Sequence, residues 1–228
     1  MDCIILAGGL GTRLRPVVTD VPKALAPIQG VPFLNLIIKE LIRSGCISKI
    51  TLALGYMAES VVKTFEKYPF PIDFSVEDRP LGTGGAVLKA LGKTTSDSIF
   101  VVNGDTYVDA LLDKMRVVHD KNQADVTIAC RKTEDAARYG TLVLSDEGRV
   151  LSFKEKGCNE GIISCGLYLF KRTALEGLPF GEEFSLEHDA FPFLLCSKMY
   201  GFRTSGTFID IGTPESFLES QDLLKAIL

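Results

Sequence analysis

The sequence predicts an α/β fold with one mostly parallel, mixed central sheet flanked by helices. Three observations carry the prediction. Short apolar runs alternate with stretches of helical periodicity through the first half, the pattern of successive strand–helix crossovers. The second half changes rhythm, with paired strand patterns around the turn signal Asp146-Glu147-Gly148. No Pro/Gly/Ser-rich linker, low-complexity tract or internal repeat separates the two. Residues 1–228 therefore read as one domain, with a first half over about 1–125 merging into a second over about 126–228.

CIILA (3–7) is an unbroken apolar run, as expected of a strand covered on both faces, and it leads directly into Gly8-Gly9-Leu10-Gly11-Thr12-Arg13-Leu14. FLNLIIKELIRSG (33–45) carries apolar residues at helical spacing and stops at Gly45. KITLAL (49–54), IDFSV (72–76), SIFVVNGD (98–105) and ADVTIAC (124–130) follow as strands, with helices over about 57–67, 85–92 and 109–121 between them. Right-handed crossovers would place the loops after these strands on one edge of the sheet. Beyond them, 141–156 reads as two strands around the turn and 162–170 as another strand. FSLEHDAFPFLL (184–195) reads as a helix, 199–214 as a strand pair and 214–226 as a closing helix.

The chain has 228 residues, 46% hydrophobic and 24% charged, which excludes a disordered protein. A domain of this length buries roughly 70–75% of its unfolded surface and needs no disulfide or metal staple. Lys and Arg number 25 against 29 Asp and Glu, a net charge of -4. No excess positive field exists to recruit nucleic acid or an anionic membrane, so any phosphate must be held by a local site. No apolar run approaches the roughly 20 residues that span a bilayer; the nearest, Ala24 to Ile38, is broken by Pro27, Gly30 and Pro32. The start, MDCIILAGG, lacks the basic region of a signal peptide. Six cysteines (Cys3, Cys46, Cys130, Cys158, Cys165, Cys196) form no CxxC pair, and three lie in or beside apolar stretches, which predicts a reduced, cytoplasmic protein. With only His119 and His188 and no recurring ligand spacing, a zinc site is not expected; His188 reads as a partly exposed helix residue.

The glycine loop is the most informative segment. Glycines let backbone amides approach a phosphate closely, and Arg13 adds a planar fork for its oxygens. A Walker loop would end in Gly-Lys-Ser/Thr, and a dinucleotide fingerprint would need GxGxxG with an acidic residue about 20 positions on. Both fail here, where Gly9-x-Gly11 is followed by Leu14. A ligand-free strand-to-helix turn remains the alternative from the loop alone. Asp105 ends an apolar strand after Asn103-Gly104, on the edge where ligands gather, and Asp210 ends another far away in sequence. Taken singly, each also fits a turn or helix cap, and Lys23 and Lys156 fit a solvated surface.

Together, however, GGLGTRL, Pro22-Lys23, Leu81-Gly82-Thr83-Gly84-Gly85, Asn103-Gly104-Asp105, Arg138-Tyr139-Gly140-Thr141, Glu155-Lys156 and Phe208-Ile209-Asp210-Ile211-Gly212-Thr213-Pro214 resemble, in order and over essentially the whole chain, the sugar-1-phosphate nucleotidyltransferase family. The resemblance implies a single Rossmann-like domain of the GT-A-like type. It also implies coupling of a nucleoside triphosphate to a sugar 1-phosphate with release of pyrophosphate. The short length and PLGTGGA (80–86) are most similar to members that transfer a guanylyl group from GTP to a heptose 1-phosphate; uridylyl or cytidylyl transfer, or a non-catalytic sensor, are the rival readings.

By the same resemblance Asp105 and Asp210 hold Mg2+, Arg13 the β- and γ-phosphates, Lys23 the α-phosphate region and Lys156 the sugar phosphate. Leu6, Ala7, Gly8, Gly9, Gly11, Thr12 and Asn103 would border the nucleotide, and Gly82, Thr83 and Gly84 would pack under its base. Glu77 is the candidate for base discrimination, since a carboxylate can accept both donors on guanine's Watson–Crick edge. Tyr139, Gly140, Glu155, Ser164 and Gly166 would line the sugar pocket, Gly140 through its backbone. Ser164 departs from the family's usual Asn and offers one hydroxyl in place of an amide. The resemblance also makes a homodimer a common assembly.

Overall fold

The computed structural model describes residues 1–109, 111–154 and 160–226. In chain order it contains β1 (Asp2–Leu6), a small ribbon of β2 (Pro27–Ile28) and β3 (Val31–Pro32), and α1 (Phe33–Arg43). Then come β4 (Lys49–Leu54), α2 (Ala58–Phe65), β5 (Ile72–Val76), α3 (Gly82–Leu91), β6 (Ser98–Asn103), β7 (Thr106–Val108) and α4 (Leu112–Lys121). The second half comprises β8 (Val126–Thr133), β9 (Thr141–Leu144), β10 (Val150–Lys154), β11 (Gly161–Lys171) and α5 (Arg172–Glu176). A π-helical turn (Leu186–Ala190) runs into α6 (Phe191–Leu194), followed by β12 (Met199–Arg203), β13 (Phe208–Asp210) and α7 (Pro214–Leu223).

Four strands, in the order β5-β4-β1-β6, are parallel. The long strand β11 continues the sheet antiparallel to β6, and then pairs with β8 and β9. β10 extends β9, and β12 adds to β8 in parallel. One mixed sheet thus crosses both halves of the chain, as the alternation of patterns predicts.

The strands are apolar on both faces because each face has its own cover. Side chains alternate across a strand. Cys3 and Ile5 of β1, Phe100 and Val102 of β6, and Leu167 and Leu169 of β11 therefore join one core with α1. Ile4, Val101, Tyr168 and Phe170, one register position over, join the opposite core with α3 and Phe191. Helix α1 buries Phe33, Leu34, Leu36, Ile37, Ile38 and Leu41 along one stripe. Each such side chain contributes roughly 1.5–3 kcal/mol of burial.

Several elements differ from expectation. The strand expected over 98–105 turns at Gly104, whose N–H bonds the Leu6 carbonyl (2.8 Å), and the chain re-enters as the separate strand β7. The helix expected over 85–92 starts at Gly82, and that over 109–121 at Leu112. The expected pair over 199–214 consists of two strands that do not pair with each other. β12 joins β8 in the main sheet, and β13 joins β7 in a two-stranded ribbon. Both strands share the same apolar period, and that period does not specify which edge each will meet.

Close packing explains the glycines of α3. A Cβ on Gly85 would overlap the Glu182 carbonyl, and one on Gly84 the Phe184 ring. Gly85→Ala should push segment 182–184 off the helix and cost about 1–3 kcal/mol, read as a lowered thermal midpoint. An unchanged midpoint would contradict the packing.

Candidate functional site

The carboxyl ends of the four parallel strands open into a cleft of about 560 Å³. It lies where the strand order reverses, with β4 on one side of β1 and β6 on the other, the position at which open α/β sheets take ligands. Leu6, Ala7, Gly8 and Gly9 leave β1 along its floor. Glu77 to Pro80 follow β5, Gly82 and Thr83 open α3, and Asn103 to Asp105 follow β6; Lys23 projects from the rim.

The glycine loop does not lead into a helix. It turns over residues 12–17, with Leu14 buried, and the next α-helix is α1. Gly8 is required by backbone: its Cβ position lies 2.8 Å from the Gly55 amide nitrogen, and its carbonyl accepts from Tyr56 N–H (3.1 Å). Gly11 has φ +60, and a Cβ there would meet the Lys23 Cβ at 2.9 Å. Of the three loop glycines, Gly9 is the one whose Cβ position faces open space. Gly11, Thr12 and Arg13 are not among the cleft-lining residues, and Arg13 is exposed with no partner among the described residues.

Lys23 is not a solvated surface lysine. Pro22 introduces a single 3₁₀ turn, Lys23–Leu25, anchored by buried Ala24 and Leu25, and the lysine side chain is only 13% exposed. Its Nζ lies 2.6 Å from Asp105 Oδ2. Asp105 lies in the turn between β6 and β7, after Gly104, and the β7–β13 ribbon sets Asp210 opposite Thr106, with Ile211 N–H donating to the Asp105 carbonyl (3.0 Å). Asp210 Oδ1 accepts from Gly212 N–H (2.6 Å), and Oδ2 from Arg138 Nη2 (2.9 Å).

Burial raises the Asp210 pKa, and the negative charge of Asp105 raises it further; Lys23, Arg138 and the Gly212 amide oppose the shift. The two carboxylates are therefore close enough to repel, with an ammonium beside them. That donor set suits a hard divalent cation completed by substrate oxygens. Among the described residues no group of three or more His, Cys, Asp or Glu forms a protein-only metal cage.

On the second-half side, Tyr139 packs edge-on against Phe208 (5.4 Å between ring centres), and its phenol is pushed up to about 12 by burial and by Asp210. The Gly140 carbonyl is already taken by Ser164 N–H (2.9 Å). Ser164 Oγ donates to Tyr168 OH (3.3 Å) and accepts from Gly166 N–H (3.4 Å). Gly166 packs on Asn103, whose buried Oδ1 has no partner among the described residues. Glu155 and Lys156 lie outside the described residues.

At the other end, Glu77 Oε2 accepts from Leu81 N–H (3.1 Å), and burial raises the carboxyl's pKa against that bond and Lys89. Gly82 and Thr83 line the cleft, but Gly84 does not: its amide donates to the Phe184 carbonyl (2.9 Å) and its Cα faces the Phe184 ring. Its small size serves this packing, which corrects the expectation that it lies under a base. His119 is a core residue, its Nδ1 2.9 Å from Thr127 Oγ1 and its pKa lowered by burial, while His188 is exposed.

The family model for nucleotidyl transferase matches residues 2–226. This chain belongs to that family. It is 41% identical over 229 residues to D-glycero-α-D-manno-heptose 1-phosphate guanylyltransferase of Aneurinibacillus thermoaerophilus, covering 99% of each chain. It is 37% identical to the protein of the same name from Campylobacter jejuni, covering 95% of this chain and 97% of that one. Among solved structures it resembles HddC from Yersinia pseudotuberculosis, crystallised in complex with GMP-PN, at TM-score 0.86 and 35% identity, covering 98% and 99% of the two chains.

Two site residues of this nucleotidyl transferase escape sequence reasoning. Arg138 holds Asp210 while its guanidinium lies 5.6 Å from the centre of the Tyr139 ring; its signal was its place beside Tyr139-Gly140. Glu187 bonds Thr83 Oγ1 (2.9 Å) from a segment with no local signal.

The raised Asp210 pKa has a consequence for stability. Between the ordinary and the folded value the native protein holds more protons than the unfolded chain, so stability falls as pH rises through that window. Without divalent ions, the thermal midpoint of Asp210→Asn should gain on wild type as pH is raised from about 4 to 7. Losing the Arg138 ion pair adds only a pH-independent offset once Asp210 is ionised. Calorimetric scans at several pH values check this, and a difference that does not grow with pH contradicts it.

Proposed function

We propose that this nucleotidyl transferase joins GTP to D-glycero-α-D-manno-heptose 1-phosphate, giving GDP-heptose and pyrophosphate. The observation that carries the chemistry is the Lys23–Asp105–Asp210 cluster at the switch-point edge of the sheet, beside a cleft floored by glycine backbone. Support for the base and the sugar comes from the names of the full-length relatives.

In the reaction an oxygen of the sugar phosphate attacks the α-phosphorus, and the bond to the β-phosphate breaks as pyrophosphate leaves. Little proton transfer is needed, so rate enhancement rests on alignment and charge neutralisation. Gly8 and Gly9 bring backbone close to the triphosphate. Lys23 exchanges its Asp105 partner for the α-phosphate region, and Arg13, free of partners among the described residues, closes from the turn onto the β- and γ-phosphates. Asp105 and Asp210 would hold magnesium, which when bound supplies Lewis-acid neutralisation of charge on the phosphoryl oxygens. Arg138 keeps the Asp210 carboxylate aimed, and Asn103 borders the nucleotide from the end of β6.

Tyr139, Gly140, Ser164 and Gly166 form the described part of the sugar side, to which we assign Glu155 and Lys156 as well. The halves 1–125 and 126–228 thereby serve nucleotide and sugar phosphate within one domain. No described helix is long and apolar enough to cross a membrane; nucleoside triphosphate as substrate supports a cytoplasmic site.

Glu77 reads the base through the lone pairs that Leu81 leaves available. Pyrophosphate release across the four nucleoside triphosphates, with the heptose 1-phosphate and magnesium, should be fastest with GTP. Glu77→Gln keeps a carbonyl for Leu81 but loses acceptors for the base, so GTP preference should fall by about 10-fold or more. Faster turnover of UTP or CTP by wild type would replace the guanylyl reading. An unchanged preference in Glu77→Gln would remove Glu77 from it.

A further inference from the structure

The Thr83 hydroxyl at the cleft wall and the Ser164 hydroxyl on β11 are joined through the interior by one carboxylate. Thr83 Oγ1 donates to Glu187 Oε2 (2.9 Å), and Tyr168 OH donates to Glu187 Oε1 (3.3 Å). The Tyr168 oxygen in turn accepts from Ser164 Oγ (3.3 Å). Ser185 Oγ also donates to Glu187 Oε2 (3.3 Å). Tyr168 is almost wholly buried, at 1% exposure, so its hydroxyl has no water to turn to. Glu187 sits in the π-helical turn Leu186–Ala190, an interruption of the kind that often marks functional positions.

The direction of this chain is fixed by chemistry. A carboxylate only accepts hydrogen bonds, so every hydroxyl meeting Glu187 must spend its proton there. Leu186 N–H takes one lone pair of Thr83 Oγ1 (2.8 Å), and Gly166 N–H one of Ser164 Oγ (3.4 Å). Each hydroxyl then keeps a single lone pair and no proton for a ligand. We infer that Glu187 is a positioning residue that makes Thr83 and Ser164 acceptors only, at the two ends of the substrate site. Thr83 then selects for N–H donors on a base, and Ser164 for an O–H donor on a sugar. This assignment rests on the two-substrate reading above. It also gives Ser164 a function where an amide would offer donor and acceptor together.

Glutamine at 187 has one acceptor and one donor, so one end of the chain must reverse and turn a hydroxyl proton toward the ligand. In steady-state kinetics with GTP and the heptose 1-phosphate, Glu187→Gln should raise at least one of the two KM values by about 5- to 10-fold or more, with little change in kcat. Tyr168→Phe cuts only the Ser164 arm and should raise KM for the sugar phosphate alone. Ser164→Ala in the Tyr168→Phe background should add less than it does in wild type.

A lowered thermal midpoint in Glu187→Gln with both KM values unchanged would make the residue scaffold and overturn the inference. So would a Tyr168→Phe effect on GTP equal to that on the sugar phosphate. If wild type releases no pyrophosphate from this substrate pair, the proposed function fails, and the inference is still decided by calorimetric titration of GTP, ATP, UTP and CTP. Glu187→Gln must then weaken either the tightest-binding triphosphate or the heptose 1-phosphate, titrated alongside, several-fold; equal affinity for both would overturn the inference.

Discussion

Two carboxylates held against each other's charge are the constraint around which this molecule is organised. The β7–β13 ribbon is only three residue pairs long, yet it brings Asp210 alongside Asp105 across a hundred residues of chain. Left alone, that arrangement is unfavourable: burial and the neighbouring charge both favour a proton on Asp210. Lys23 and Arg138 offset it from opposite sides, one on each carboxylate. Perturbed and paired charges of this kind cluster at functional sites.

Backbone packing supports the same region. Gly8 lies against Gly55, Gly11 against the stem of Lys23, and Gly84 and Gly85 against the 182–184 segment. Each of these glycines therefore admits a neighbouring segment at a distance that a Cβ would forbid. Glu187 extends this coupling to hydroxyls, since its π-helical turn packs on the amino end of α3 and reaches Tyr168 of β11. The two halves meet through the sheet, through the acid pair and through this buried chain.

Much of this was legible beforehand. Apolar runs with strand length gave β1, β4, β6 and β11 nearly to the residue, because strands buried on both faces leave an unbroken signal. Asp105 stood out as the residue ending such a run. The pairing of β13 with β7 was not legible, because β7 is three residues long and lies within what reads as one strand through Asp105. Arg138 and Glu187 were missed for a related reason. Both act through partners more than 70 positions away, Asp210 and Thr83, and no local period encodes such contacts. Conversely, Gly84 carried a family-like signal whose physical cause is Phe184.

The most direct test is a Mn2+ titration followed by paramagnetic resonance, with wild type, Asp105→Asn, Asp210→Asn and the double variant compared in the presence of GTP. Shared ligation by strand ends from both halves predicts that either single substitution removes the bound-ion signal and that the double variant is no worse. Retention of wild-type affinity by either single variant would show that the two aspartates do not grip a common ion, and would contradict the site at its centre.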